Sequence, residues 1–361
     1  MTGIRLAMIV RDESAVIERA IASALPFVSS WLIIDTGSTD DTVDRIERAL
    51  ADLPGQVLHR PWVDFAANRS ELVSLAADGA DWLLLLDADM VVEVDADLDD
   101  RLAEHDADAA LVAVVGSIRY RMPYLVRGGR PWHFVGRTHE HLSSEQPYRT
   151  APFDALRIVH HGDGGARADK FERDLALLTA AVADDPNDPR SLYYLAQTHR
   201  DRGDDLAALE AYRRRAALGG WAEEEFSARL QAALIEERLA PDAVIESLLA
   251  AWDSRPTRAE PLYHLARIHR LRRRHRAAWA FASLAAGIPP SDDILFVEDW
   301  VWRWGIGFER ADAAWRIGER GLAAQFVAAV IDEPGLPADH REHLELIAAD
   351  LHDSDTDRPH P

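Results

Sequence analysis

Cysteine is absent from the 361-residue chain. Disulfides, zinc–thiolate sites and thiol nucleophiles are therefore excluded, and the lack fits a reducing compartment, so a cytoplasmic location is expected. Lysine is nearly missing too, with Lys170 the single example. Basic residues number 40 against 62 acidic ones, a formal net charge of -22. Such a surface lacks the basic patches from which affinity for nucleic acid or anionic membranes is built, so neither partner is expected. No apolar run is long enough to span a bilayer. Met1 to Val10 enters a short apolar run carrying Arg5, without the long apolar region and small-residue cleavage site of a signal peptide. What is present, 48% hydrophobic residues, suffices for roughly two or three domains with their own cores. An acidic protein that handles a phosphorylated ligand must supply positive charge locally, from a metal or a few arginines.

The N-terminal half alternates apolar runs with helical stretches. Strands are expected at Ile4 to Val10, Trp31 to Ile34, Gln56 to His59 and Trp82 to Leu86. Helices are expected from Ser14 or Asp12 as cap to about Leu25, from Val43 to Leu50 and from Ala66 to about Asp78. Short connections between them predict a parallel, doubly wound sheet. A helix over Leu98 to His105 and a strand over Ala109 to Val115 follow. Residues 116–158 are irregular and aromatic and read as antiparallel strands and loops closing over one end of the sheet.

The central stretch is Trp82-Leu83-Leu84-Leu85-Leu86-Asp87-Ala88-Asp89. A short, wholly apolar run suits a strand buried on both faces. In an extended chain Asp87 and Asp89 point to one side, at the carboxyl end where parallel sheets bind ligands. Two carboxylates there are half of a hard-cation site, and hard cations arrive with phosphates. An acidic turn closing the strand is the plain alternative.

After Lys170 the pattern is helical throughout, with a period. Leu195-Ala196, Leu230-Gln231 and Leu265-Ala266 are 35 residues apart, and Ala208, Ala243 and Ala278 keep the same spacing. This resembles tetratricopeptide repeats, whose stacked hairpins form partner-binding surfaces; an ordinary helical bundle is the alternative. The middle unit is degenerate. Expected boundaries are a sheet domain at 1–165, helical repeats at 166–352 and a disordered tail at 353–361.

Several ordered motifs carry a wider resemblance. Met8 to Glu13, Asp35 to Asp40, Trp62-Val63-Asp64-Phe65 with Asn68-Arg69, and Leu86 to Asp89 resemble the motifs of family 2 glycosyltransferases. Trp132 to Glu140, His160-His161-Gly162 and Tyr193 to Ala196 are similar to the subgroup in which a GT-A domain precedes tetratricopeptide-like helices. Asp12 stands where that subgroup more often has Asn, and Ser70 where many relatives have another Asn.

The resemblance implies an α/β GT-A domain, Rossmann-like with a mostly parallel sheet, followed by an all-α domain. It implies an inverting transferase of the hexosyltransferase type using a UDP- or GDP-sugar donor. The leaving diphosphate needs a divalent cation or fixed positive groups. Asp87 and Asp89 would supply this through Mn²⁺ or Mg²⁺, with Asp89 the direct ligand, and His160 or His161 would complete it, favouring Mn²⁺. Asp35 would contact the base, and Arg11 and Glu13 would line the same pocket. Arg69 and Lys170 would face the phosphates, Trp132 would stack on a sugar, and Glu140 would be the acceptor's base, with His139 orienting it or replacing it. The acceptor, whether peptide, lipid or glycan, is left open by the sequence; a peptide or glycan held by the repeats is the expectation. Competing readings are a phosphatase using Asp87 as nucleophile with the acidic pair Asp292-Asp293, a sugar nucleotidyltransferase, and a non-catalytic repeat scaffold with a degenerate sugar-nucleotide domain.

Overall fold

The computed structural model describes residues 3–115, 119–136, 138–164 and 170–356. The chain divides into two compact units, Met1–Asp204 and Asp205–Pro361. The division falls beyond the expected boundary at 165, so two helices belong with the sheet.

In the first unit β1 (Ile4–Val10), β2 (Ser30–Asp35), β3 (Gly55–His59) and β4 (Trp82–Leu85) are parallel. Helices α1 (Ile17–Ala24), α2 (Thr42–Ala49) and α3 (Phe65–Ala76) connect them. Side-chain alternation explains the wholly apolar β4. Trp82, Leu84 and Leu86 join Ile4, Leu6 and Met8 in the core against Ile17 and Ile21 of α1. Leu83 and Leu85 join Ala7 and Ile34 against Leu72, Val73 and Ala76 of α3. Each fully buried leucine contributes about 1.5–3 kcal/mol, and no position on this strand can be polar without loss. The expected cap of α1 is not formed by Ser14 or Asp12; the helix starts after Val16, which makes no side-chain cap.

The rest of the sheet is mixed. After β5 (Met90–Val94), α4 (Leu98–Glu104) and β6 (Ala109–Val115), β7 (Tyr120–Arg127) enters antiparallel between β4 and β6. β10 (Thr150–His160) runs parallel to β6 and antiparallel to β5, giving the order β3-β2-β1-β4-β7-β6-β10-β5. The aromatic stretch expected to close over one end of the sheet therefore contributes β7 to its interior. Among the described residues, β8 (Trp132–Val135) and β9 (His141–Ser144) form a separate two-stranded pair. Residues 86–89 alone link β4 to the edge strand β5, a span of at most about 14 Å, so the sheet curls to bring its edge back. α5 (Lys170–Asp184) and α6 (Pro189–Asp201) complete this unit.

The second unit holds α7 (Asp205–Ala217), α8 (Ala222–Leu239), α9 (Val244–Ser254), α10 (Glu260–Leu271) and α11 (His275–Ala286). A π-helical turn at Val301–Gly305 leads into α12 (Ile306–Arg316), followed by α13 (Arg320–Val330) and α14 (Ala338–Thr356). The period has a physical basis: Leu195, Leu230 and Leu265 are all buried, on α6, α8 and α10. Ala208 and Ala278 are fully buried, whereas Ala243 is exposed as the residue before α9 and Val244 takes the buried place. That is the degenerate middle unit. Two arginines of α10 pair with acidic residues of neighbouring helices, Arg267 with Glu237 and Arg270 with Glu309. α14 runs through Thr356, into the stretch expected as a tail; residues 357–361 lie outside the described residues.

Candidate active site

The exits of β1 and β2 are level, with Val10 opposite Asp35, and their loops are laced together. The backbone N–H groups of Asp12, Glu13 and Ser14 donate to Ser38 Oγ, Thr42 Oγ1 and Asp40 Oδ2, at 2.9, 2.8 and 3.2 Å. Asp12 sits at φ 51°, a region that Asp and Asn tolerate best among residues with a side chain. Its Oδ1 accepts from Thr39 N at 2.6 Å, a bond that Asn makes equally, so the departure from Asn keeps this turn. Asp35 is buried and accepts from Gly37 N, Ser38 N and His59 Nδ1 at 3.3, 3.1 and 3.1 Å. Burial would raise its pKa, but the bonds from Ser38, His59 and Gly37 hold it below the ordinary value. Asp35 thus shapes the turn, and it also lines a groove together with Gly37, Ser38, Asp40, His59 and Arg60. Arg11 is exposed, 3.8 Å from Asp12, and neither it nor Glu13 lines that groove.

The Trp62 to Arg69 motif is mostly architecture. Asp64 caps α3, accepting from Ala67 N at 2.7 Å. Buried Asn68 bridges the preceding loop, accepting from Val63 N and donating to Pro61 O. Ser70 accepts from Phe134 N at 2.8 Å, tying α3 to β8.

Arg69 is the centre of the site. Its Nη2 lies 2.5 Å from Asp87 Oδ1 and its Nε 2.9 Å from Glu140 Oε1. Burial opposes the charge, but Asp87 and Glu140 raise the guanidinium's pKa above the ordinary value. The residue expected to face phosphates instead ties together two of the candidate carboxylates. Asp87 and Asp89 do not continue the strand: they stand in a turn, Met90 N donating to Asp87 O at 3.2 Å. The two side chains accordingly have different partners.

Asp89 faces His160. Antiparallel pairing of β5 with β10 sets Met90 opposite His160, and Asp89 Oδ2 lies 3.1 Å from His160 Nε2. Burial pushes the Asp89 carboxyl up, but His160 and the backbone N–H of Gly164 bring it below the usual range. His161 contributes its backbone, donating to Asp89 O at 3.0 Å, and its side chain is exposed. Gly164 packs between Glu13 and Asp89; a Cβ there would lie 3.1 Å from Glu13 Oε2 and 3.5 Å from Asp89 Cβ. Arg19 of α1 holds this loop through a bidentate pair with Asp163, at 2.6 and 2.9 Å.

Glu140 is buried, in a loop held from α5 and α6. Thr138 Oγ1 donates to Asp174 Oδ1 at 3.2 Å, and Arg190 Nε donates to His139 O at 2.8 Å. The His139 ring stacks on Tyr194, centroids 4.0 Å apart and planes within 3°. His139 therefore faces α6.

Trp132 is corrected from sugar platform to core. It is 3% exposed, edge-packed on Tyr148, and its Nε1 donates to Arg127 O at 2.8 Å. Lys170 opens α5; its side chain lies outside the described residues. The phosphatase reading loses its acidic pair, because Asp293 is buried under Arg255 and Arg258 in the second unit. Sequence reasoning passed over Tyr120 and Tyr124 of β7. Desolvation, with Asp87 and Asp89 nearby, pushes Tyr120 up to about 12, and burial with Tyr120 and Asp87 pushes Tyr124 well up. Only the spacing of two tyrosines on one strand face hinted at them.

Residues 6–172 match the family described as Glycosyl transferase family 2. A TPR repeat-containing protein of Synechococcus elongatus is 31% identical over 52% of this chain and 50% of its own length. An uncharacterized glycosyltransferase of Rickettsia felis is 29% identical over 45% of this chain and 48% of its own. The chain thus spans about half the length of these curated relatives. Among solved structures, MamA aligns over 52% of this chain and 92% of its own at TM-score 0.34 and 16% identity. Among the described residues no helix is long and apolar enough to cross a membrane.

Proposed function

We propose that the chain is an inverting glycosyltransferase that takes a sugar from a UDP- or GDP-sugar, with a divalent cation, Mn²⁺ or Mg²⁺, at Asp89 and His160. The family assignment of residues 6–172 supports the donor class. The observation that carries the metal is the Asp89–His160 pair, 3.1 Å apart. Neighbouring ligands of an octahedral ion bound at about 2.1 Å stand about 3 Å apart, so this spacing fits. Among the described residues no group of three or more His, Asp or Glu is arranged to hold a metal. Diphosphate oxygens and water would therefore complete the shell. The cation would supply charge neutralisation for the leaving diphosphate.

The chain's own groups do the rest. Arg69 fixes Asp87 and Glu140 at a set separation, and Glu140 takes the acceptor's proton as the bond to the anomeric carbon forms. Tyr120, half-buried near Asp87 and Asp89, keeps its phenol protonated. The acceptor is a peptide or glycan.

Nucleotide release from a panel of UDP- and GDP-sugars with Mn²⁺, with and without chelator, tests this. Asp89→Ala should remove the metal-dependent thermal shift and nucleotide binding. Glu140→Gln should keep binding and lose transfer at least about 100-fold. Wild-type transfer by Glu140→Gln refutes the base assignment. Absence of both nucleotide release and metal-dependent shift favours the non-catalytic scaffold.

A further inference from the structure

We infer that α6, the first helix in the 35-residue register, is a positioning element for the Glu140 loop, with Tyr194 and Arg190 as the residues that act. The inference rests on the reading of Glu140 as the base.

His139, next to Glu140, has φ 50°, a conformation unfavourable for a residue with a side chain that persists only when its surroundings enforce it. The enforcing contacts come from α6. The Tyr194 ring covers the His139 imidazole face to face at 4.0 Å, and the Arg190 guanidinium stands 5.0 Å from the Tyr194 centroid. Arg190 also fixes the His139 carbonyl at 2.8 Å. One residue earlier, Thr138 is bonded to Asp174 of α5, and both are buried. The backbone entering Glu140 is thus set by helices, and its carboxylate by Arg69 at 2.9 Å.

The sequence period shows how this face is used elsewhere. One and two periods on from Arg190 and Tyr194 stand Glu225 and Arg229 of α8, then Glu260 and His264 of α10. On α8 the two pair with each other at 2.8 Å and remain partly exposed. On α10 the face is covered by the chain itself: Glu260 is buried against Arg258, and His264 lies 3.8 Å from Glu298. The helix face that a repeat array would offer to a partner is, on α6, taken up by the His139 loop. Displacing a catalytic group by about 1 Å lowers rate about 100-fold without direct contact to substrate, so a helix that fixes this loop governs turnover rather than binding.

The full-length chain tests this by hydrogen exchange of the 138–141 amides, nucleotide release and nucleoside diphosphate affinity, measured together. Tyr194→Ala should speed exchange at 138–141 about tenfold and lower turnover about tenfold or more, with affinity within twofold of wild type. Tyr194→Phe keeps the ring and should restore both. Arg190→Ala should move exchange in the same direction and leave affinity unchanged. Unchanged exchange in Tyr194→Ala overturns the inference. So does fast exchange with wild-type turnover, or affinity falling in step with turnover. A wild-type chain that turns over no donor refutes the proposed function instead, because exchange reads the loop directly.

Discussion

Replacing Arg69 by Met removes the cation between Asp87 and Glu140 while keeping the volume and much of the aliphatic stem. The two losses are unequal. The Asp87 side chain is 34% exposed and can regain water, so its lost pair is worth up to about 1 kcal/mol. Glu140 is 8% exposed and cannot. Leaving such a carboxylate without its partner costs about 3–5 kcal/mol, mostly the penalty of a buried, uncompensated charge. Arg69→Met should therefore destabilise the first unit by about 4 kcal/mol. Because that penalty belongs to Glu140, Arg69→Met with Glu140→Gln should recover more than half of it. Hydrogen exchange in rising urea, followed on peptides from α3 and β4, reports this unit alone. A single-variant loss under about 1 kcal/mol, or a double variant no more stable than Arg69→Met, would refute the reasoning.

Trp132→Ala should destabilise the first unit by about 3–5 kcal/mol, as a large core deletion does, while Trp132→Phe should leave nucleotide affinity unchanged; a tenfold loss of affinity in the Phe variant would return this ring to the site. Asp40, held at about 2 by Thr42 and Ser14 against burial, is depressed in the folded state. Its contribution is present above the unfolded value and is lost as pH falls from about 4 towards 2, so Asp40→Asn should flatten acid unfolding in that window. An unchanged acid limb would show that the β1–β2 lacing is not pH-linked through this residue.

Much of the first half was legible because its strands are buried on both faces. Ile4 to Val10 and Ala109 to Val115 were read to the residue, and Trp82 to Leu86 runs one residue past the strand. β7 was not legible, since Y-R-M-P-Y-L-V-R carries two arginines and a proline. It enters the sheet through an irregularity: the register shifts between Ala110 and Leu111, Ala110 facing Leu125 and Leu111 facing Pro123. Such a bulge is where a residue without an N–H is admitted. The D-x-D pair was expected to point one way because an extended chain alternates; the turn at 86–89 breaks that alternation. Trp132 looked like a ligand contact from its motif, yet its ring is buried and its N–H is taken up within the fold, whereas Asp35 lines a groove while holding its own turn. Motif matching does not separate a residue that holds a loop from one that touches a ligand.

The partners of the acidic groups do make that separation. Asp35 is buried with amide donors on its oxygens, which no ligand displaces without unmaking the turn. Asp87 and Glu140 share an arginine, a cation at every accessible pH that fixes both carboxylates and offsets their charge. Asp89 has a histidine, His160, whose ring nitrogen lies 3.1 Å away, and neutral imidazole is a common metal ligand. On the proposed reading, replacing the direct Asp89–His160 contact by a divalent ion held between them would keep both partners. The same replacement at Asp87 would set a divalent ion against a guanidinium. The two aspartates of one short motif therefore have different partners, Asp89 facing His160 and Asp87 fixing Arg69 and, through it, Glu140.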